Sequence, residues 1–162
     1  MKIEKIIITL FFNIVFSQSW VKDQLNDRQI NQAINSYNSG RFTATQSILN
    51  KILQEQENLN REPAMALLIK LQIALNQTEL VKESSKKFFS EFPMSLYQKN
   101  VMESLGDFYV NQANYNSAYR MYIRSKKLNL KKNNYNDRIN KKLLKLIQVR
   151  IPVSTLSELI IL

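Results

Sequence analysis

The sequence contains no cysteine and no histidine among its 162 residues, and only two glycines and three prolines. Without cysteine there is no disulfide framework and no thiolate. Without histidine there is no imidazole, so the nitrogen and sulfur ligands of a zinc-type site are missing. The lack of cysteine does not place the chain in the cytosol, since exported proteins can also do without it. Gly40 and Gly106 stand far apart, which excludes a glycine-rich phosphate loop. So few breakers in a chain long enough for one domain with a substantial core indicate helices joined by short turns.

The same absences bear on catalysis. General acid–base work would fall to carboxylates, lysine or tyrosine, and no paired carboxylates stand on a shared predicted face with a clear purpose. Ser84 and Lys87 show the Ser-x-x-Lys spacing of penicillin-binding nucleophiles, but the companion Ser-Asp-Asn and Lys-Thr-Gly motifs are absent. The expectation is a protein that is not an enzyme and carries no cofactor and no metal.

What is present begins with charge. The formal net charge is +10, and the stretch from Arg120 to Arg150 holds eleven Lys or Arg against one acid, Asp137. That stretch carries the whole excess. It reads either as a solvated face or as a surface for anionic lipid, glycan or nucleic acid.

The first residues read as an address. A short charged start ending at Lys5 is followed by the apolar run Ile6 to Phe16 and the small polar exit Ser17, Gln18, Ser19. This is the layout of a secretory signal peptide over residues 1–19, with cleavage expected after Ser17 or Ser19. The run is short of the roughly 20 apolar residues of a spanning helix. The competing reading is an uncleaved anchor or a buried first helix. No cysteine follows the run, which excludes lipoprotein processing.

The middle of the chain, residues 20–133, repeats itself. The clearest copy, Met102 to Ser125, places Leu105-Gly106, Tyr109, Tyr115, Ala118 and Tyr122 at fixed intervals. Small Gly106 and Ala118 would let two helices cross closely, with the three tyrosines filling the space around the crossing. Asn114 suits the intervening turn. An earlier copy offers Ala33, Tyr37, Gly40, Phe42, Leu49 and Ile52, with Thr45 at the small position; a middle copy offers Leu68, Ile73, Asn76, Val81, Phe88 and Pro93. The copies fall 36 and 37 residues apart, near the ~34-residue period of one helical repeat class.

These residues resemble the tetratricopeptide repeat, most specifically in the third copy, over roughly Asp23 to Leu130. The third copy departs from that pattern at Ala113, where a turn glycine is common, and at Leu130, where a closing proline is common. The resemblance implies an all-α fold: a right-handed solenoid of antiparallel helix pairs, about three repeats plus C-terminal helices. Phe92-Pro93-x-Ser95 leading into the next Leu-Gly helix is similar to envelope proteins that carry these repeats, such as the β-barrel assembly lipoprotein and the periplasmic cell-division coordinator. That likeness implies an exported, periplasmic adaptor, with outer-membrane association as an option, whose partner is a protein or peptide. First helices of the pairs would line a groove, with Asp27, Tyr37, Lys70, Asn100, Glu103, Asp107 and Asn111 facing it. Ile30 and Ile34 occupy two positions that the carboxylate clamp of some such proteins needs as polar residues, which disfavours capture of a C-terminal carboxylate.

The remaining segment, residues 134–162, is basic and helical in pattern. A helix is expected from about Asn136 to Val149, with Ile139, Leu143, Leu146 and Ile147 on one side. Arg138, Lys141, Lys142 and Lys145 fall on the other, within about a 100° arc. It reads as a capping or fourth-repeat helix with a solvated basic face, or as a binder of anionic membrane; nucleic acid is the weaker option. After Pro152, Ser154 is placed as an N-cap and Thr155 to Leu162 as a last helix. Its apolar end, Leu-Ile-Ile-Leu, also fits a repeat region at the start of a longer envelope protein whose ligand-binding or catalytic domain lies elsewhere.

Overall fold

The computed structural model describes residues 27–129 and 134–149, and these are helical with short connections. The expected leader, the expected last helix and Leu130 lie outside the described residues. In chain order the helices are α1 (27–38), α2 (Phe42–Gln54), α3 (Arg61–Ala74), α4 (Thr78–Glu91), α5 (Gln98–Asn111), α6 (Tyr115–Leu128) and α7 (Asn134–Val149). The fold class is all-α, in successive helix pairs, as expected. The chain divides into two compact units, Met1–Leu71 and Gln72–Leu162.

In three of the turns the backbone closes in the same way. Gly40, Asn76 and Ala113 each adopt positive φ, at 70°, 55° and 54°. At each, the amide of that residue donates to the carbonyl three residues back, and the next amide donates to the carbonyl five back. The pairs are Gly40 to Tyr37 and Arg41 to Ser36, Asn76 to Ile73 and Gln77 to Gln72, Ala113 to Val110 and Asn114 to Tyr109. This double closure satisfies helix-end carbonyls that would otherwise lack partners, and it needs one left-handed residue. Glycine and asparagine adopt that conformation readily; alanine does so at a cost. The spacing of these turns reproduces the 36- and 37-residue period of the sequence.

The helices that follow these turns share a buried face. Thr45, Leu49 and Ile52 in α2, Val81, Ser85 and Phe88 in α4, and Ala118, Tyr122 and Ser125 in α6 are all buried. The i, i+4, i+7 spacing puts each trio on one stripe. Thr45, at the position of the small residue, is accommodated in full burial because its hydroxyl donates to the Arg41 carbonyl, 2.9 Å away. At the start of α6 a side chain caps the helix: Asn114 Oδ1 accepts from the Ser117 amide at 3.2 Å.

In the first unit, Ile30 and Ala33 of α1, Leu49 and Ile52 of α2, and Ala64 and Leu71 of α3 form one apolar core, with Tyr37 and Phe42 packed against it. In the second unit, Ala118, Tyr119 and Tyr122 of α6 meet Ile139, Leu143 and Leu146 of α7. Burying each such aliphatic side chain contributes roughly 1.5–3 kcal/mol. The α5–α6 pair is antiparallel: Ser125 Oγ donates to the Lys99 carbonyl at 2.7 Å, while Tyr122 Oη donates to Asp107 Oδ1 at 2.6 Å. The crossing is close because Gly106 has no side chain; a Cβ there would lie 2.3 Å from Tyr122 Cε1. Gln112 Nε2 donates to Asn76 Oδ1 at 3.2 Å, joining two turns one repeat apart.

Candidate interaction site

The first helix of a pair presents its free side where the next first helix comes alongside, and the second unit shows this between α5 and α7. Contacts ascend both helices together. Tyr135 reaches the Lys99 carbonyl, Arg138 reaches Glu103, and Lys142 reaches Glu103 and Asp107. The helix α7 therefore runs parallel to α5 and antiparallel to α6, the placement of a first helix in a fourth pair.

Glu103 is the centre of this joint. Its side chain is 11% exposed. Arg138 grips it bidentately, Nε to Oε1 at 2.9 Å and Nη2 to Oε2 at 2.7 Å, and Lys142 Nζ adds a bond to Oε1 at 2.9 Å. Burial by itself pushes the Glu103 carboxyl up. The hydrogen bonds and charges of Arg138 and Lys142 outweigh it and hold the group below its ordinary 4.5. The Arg138 guanidinium is raised in turn, chiefly by its hydrogen bond to Glu103.

Asp107, one turn further, accepts from Lys142 Nζ at 2.7 Å on both oxygens and from the Tyr122 hydroxyl. Burial, then the bond to Asp107, pushes the Tyr122 phenol far up, so it stays protonated and donates. At the other end the Tyr135 ring lies under two cations, Lys99 Nζ at 5.3 Å and the Arg138 guanidinium carbon at 5.0 Å from its centroid. The hydroxyls of Tyr135 and Ser125 meet over the Lys99 carbonyl.

This geometry corrects the sequence reading of two residue sets. The sequence places Glu103 and Asp107 at an open groove and Arg138 and Lys142 in solvent; Arg138 does stay more than half exposed, but neither base is free. Instead the two acids and the two bases face each other. Glu103 is buried because α7 continues the array past α5, and a buried carboxylate requires a partner charge. The residue order holds a compatible spacing but not the packing that uses it: Glu103 and Asp107 stand four apart, as do Arg138 and Lys142, and the two pairs are separated by 35 residues, close to one repeat. Lys141 and Lys145 are exposed, as expected.

The other groove candidates are divided. Asp27, Lys70 and Asn111 are exposed and Asn100 is half-buried. Tyr37 packs on the first unit's core, its ring 5.8 Å from that of Phe42. Ile30 is buried and Ile34 is 39% exposed, so the first helix offers apolar surface where a carboxylate clamp would offer polar groups. Among the described residues no helix is long and apolar enough to cross a membrane.

No family model, no curated protein and no solved structure matches this chain.

Proposed function

We propose that this protein is a helical-repeat scaffold of the tetratricopeptide type that binds a segment of another protein along its first helices, without catalysis. The observation that supports it most is the threefold recurrence of one turn closure at Gly40, Asn76 and Ala113, each followed by a helix with the same buried stripe. Repeats of this kind present extended surfaces built from equivalent positions, suited to peptides and helices. The charged start and apolar run of the first residues support export to the cell envelope; N-terminal sequencing of protein from its host should begin at Gln18 or Trp20.

Selection from a random peptide display library tests the scaffold reading directly. Enriched peptides, cross-linked to the protein, should map to first-helix positions such as Asn100 and Asn111. Failure to enrich any sequence, or cross-links confined to α4 and α6, would overturn the reading.

A further inference from the structure

The basic, amphipathic pattern of α7 suggests a helix lying on a membrane, and the packing removes half of the basis for that. Ile139, Leu143 and Leu146 are buried against α6, so the apolar face is not available to enter a lipid boundary. Leu144 is the one large apolar side chain of α7 that is exposed among the described residues, at 56%.

What α7 does expose is a row of cations. Arg138, Lys141 and Lys145 follow at i, i+3 and i+7, which places them along one edge of the helix, beside the face that meets α5. Two carboxylates of α5 lie nearby, and both are engaged elsewhere: Glu103 by Arg138 and Lys142, Asp107 by Lys142 and Tyr122. Among the described residues no carboxylate is paired with Lys141 or Lys145, and Asp137 is the sole acid of α7. The edge therefore keeps an excess of positive charge after the internal pairs are formed.

Arg138 is also prepared for a second anion. A guanidinium has five N–H donors in a fixed plane. Glu103 takes two of these, which holds the plane in place, while the side chain remains 56% exposed. A ligand carboxylate would meet an ordered donor and would not have to immobilise it. Arg138 to Lys145 spans roughly 10 Å along the helix axis at 1.5 Å per residue. In an extended chain alternate side chains lie about 6.6 Å apart, so three of them span about 13 Å, a little more than that rise and within the reach of the long Arg and Lys side chains.

We propose that this edge of α7 docks an acidic, extended segment of a partner protein, one with carboxylates at alternate positions that meet Arg138, Lys141 and Lys145. The proposal rests on the scaffold reading and names the chemistry of the ligand. Half-exposed Asp107 sets its limit on one side, repelling an acidic chain that drifts over α5, so the segment runs along the outer edge of α7.

Fluorescence anisotropy with end-blocked twelve-residue peptides tests it: alternating Glu-Ser, alternating Lys-Ser and alternating Gln-Ser, at low and at physiological salt. The Glu-Ser peptide should bind, and more weakly as salt rises. Lys141→Glu with Lys145→Glu should weaken it at least tenfold without changing helicity or the melt. Arg120→Glu with Arg124→Glu, exposed on α6, should change it less than twofold. Equal loss in both double variants would reduce the effect to net charge and overturn the proposal. Binding of only the Gln-Ser or Lys-Ser peptide would overturn it while leaving the scaffold reading intact. Capture by phosphatidylserine vesicles without capture of the Glu-Ser peptide would reassign the edge to lipid. Capture of neither also sinks the acidic segment, and the scaffold reading then stands or falls on the library selection.

Discussion

Gly106 and Tyr122 are in such close apposition that a methyl group on Gly106 would lie 2.3 Å from the tyrosine ring. The ring cannot easily move away, because it is buried and its hydroxyl is held by Asp107. Gly106→Ala should therefore destabilise the chain by about 1–3 kcal/mol through overpacking. Gly40→Ala meets no atom within 4 Å, so only its positive φ of 70° opposes it, at about 1 kcal/mol. Thermal melts compare the two; equal effects would contradict the crossing geometry.

Ala113 carries a different strain. It holds a φ of 54° at the turn where the first repeat has glycine. Ala113→Gly should raise stability by roughly 0.5–1 kcal/mol, the relieved strain exceeding the added freedom of the unfolded chain. Asn76→Gly should gain less, since asparagine tolerates this conformation. Urea midpoints measured on both variants check the order.

Two kinds of contact hold α7, and their sizes differ. Leu143→Ala should cost about 2–4 kcal/mol through lost burial and a cavity. Glu103→Gln removes one partner of a buried pair, but Arg138 is half-exposed and can be rehydrated, so the loss should be about 1–2 kcal/mol. Amide exchange of α7 separates them: the glutamine variant should speed exchange in α7 more than in α2, and added salt should have less effect on it than on the wild type.

The pH response follows from the direction of the Glu103 shift. Its folded carboxyl sits below the ordinary 4.5, so the stabilisation is fully present above that value and is lost as pH falls through the folded one. Acidification should therefore loosen α7, read as faster amide exchange there. Glu103→Gln should flatten that dependence. An unchanged acid response in the glutamine variant would mean that other carboxylates govern it.

Much of this architecture was legible in the residue order. The 36- and 37-residue period, the turn at Gly40, the small residue at Gly106 and the stripes of α2, α4 and α6 are local properties. A helix face is set by residues three and four apart, and a turn by the φ its residue can adopt, so both can be read along the chain. The apolar side of α7 was readable for the same reason.

The destination of each charged side chain was decided only by tertiary structure. On α5 alone, Glu103 and Asp107 are two polar residues on a polar face, just as Arg138 and Lys142 are on α7. They become an ionic joint centred on buried Glu103 because α7 packs parallel to α5 at a distance that brings 138 to 103 and 142 to 107. Whether a carboxylate ends in water or beneath a guanidinium depends on which helix lies over it, and that neighbour is 35 residues away in the chain. Lys141 and Lys145 kept their exposure because the same packing turns them away from every acid of α5. The residue order determined the turns between the repeats and the apolar stripes of their helices; the packing of α7, which starts at Asn134, two residues ahead of the sequence reading, decided which charges were left to meet a partner.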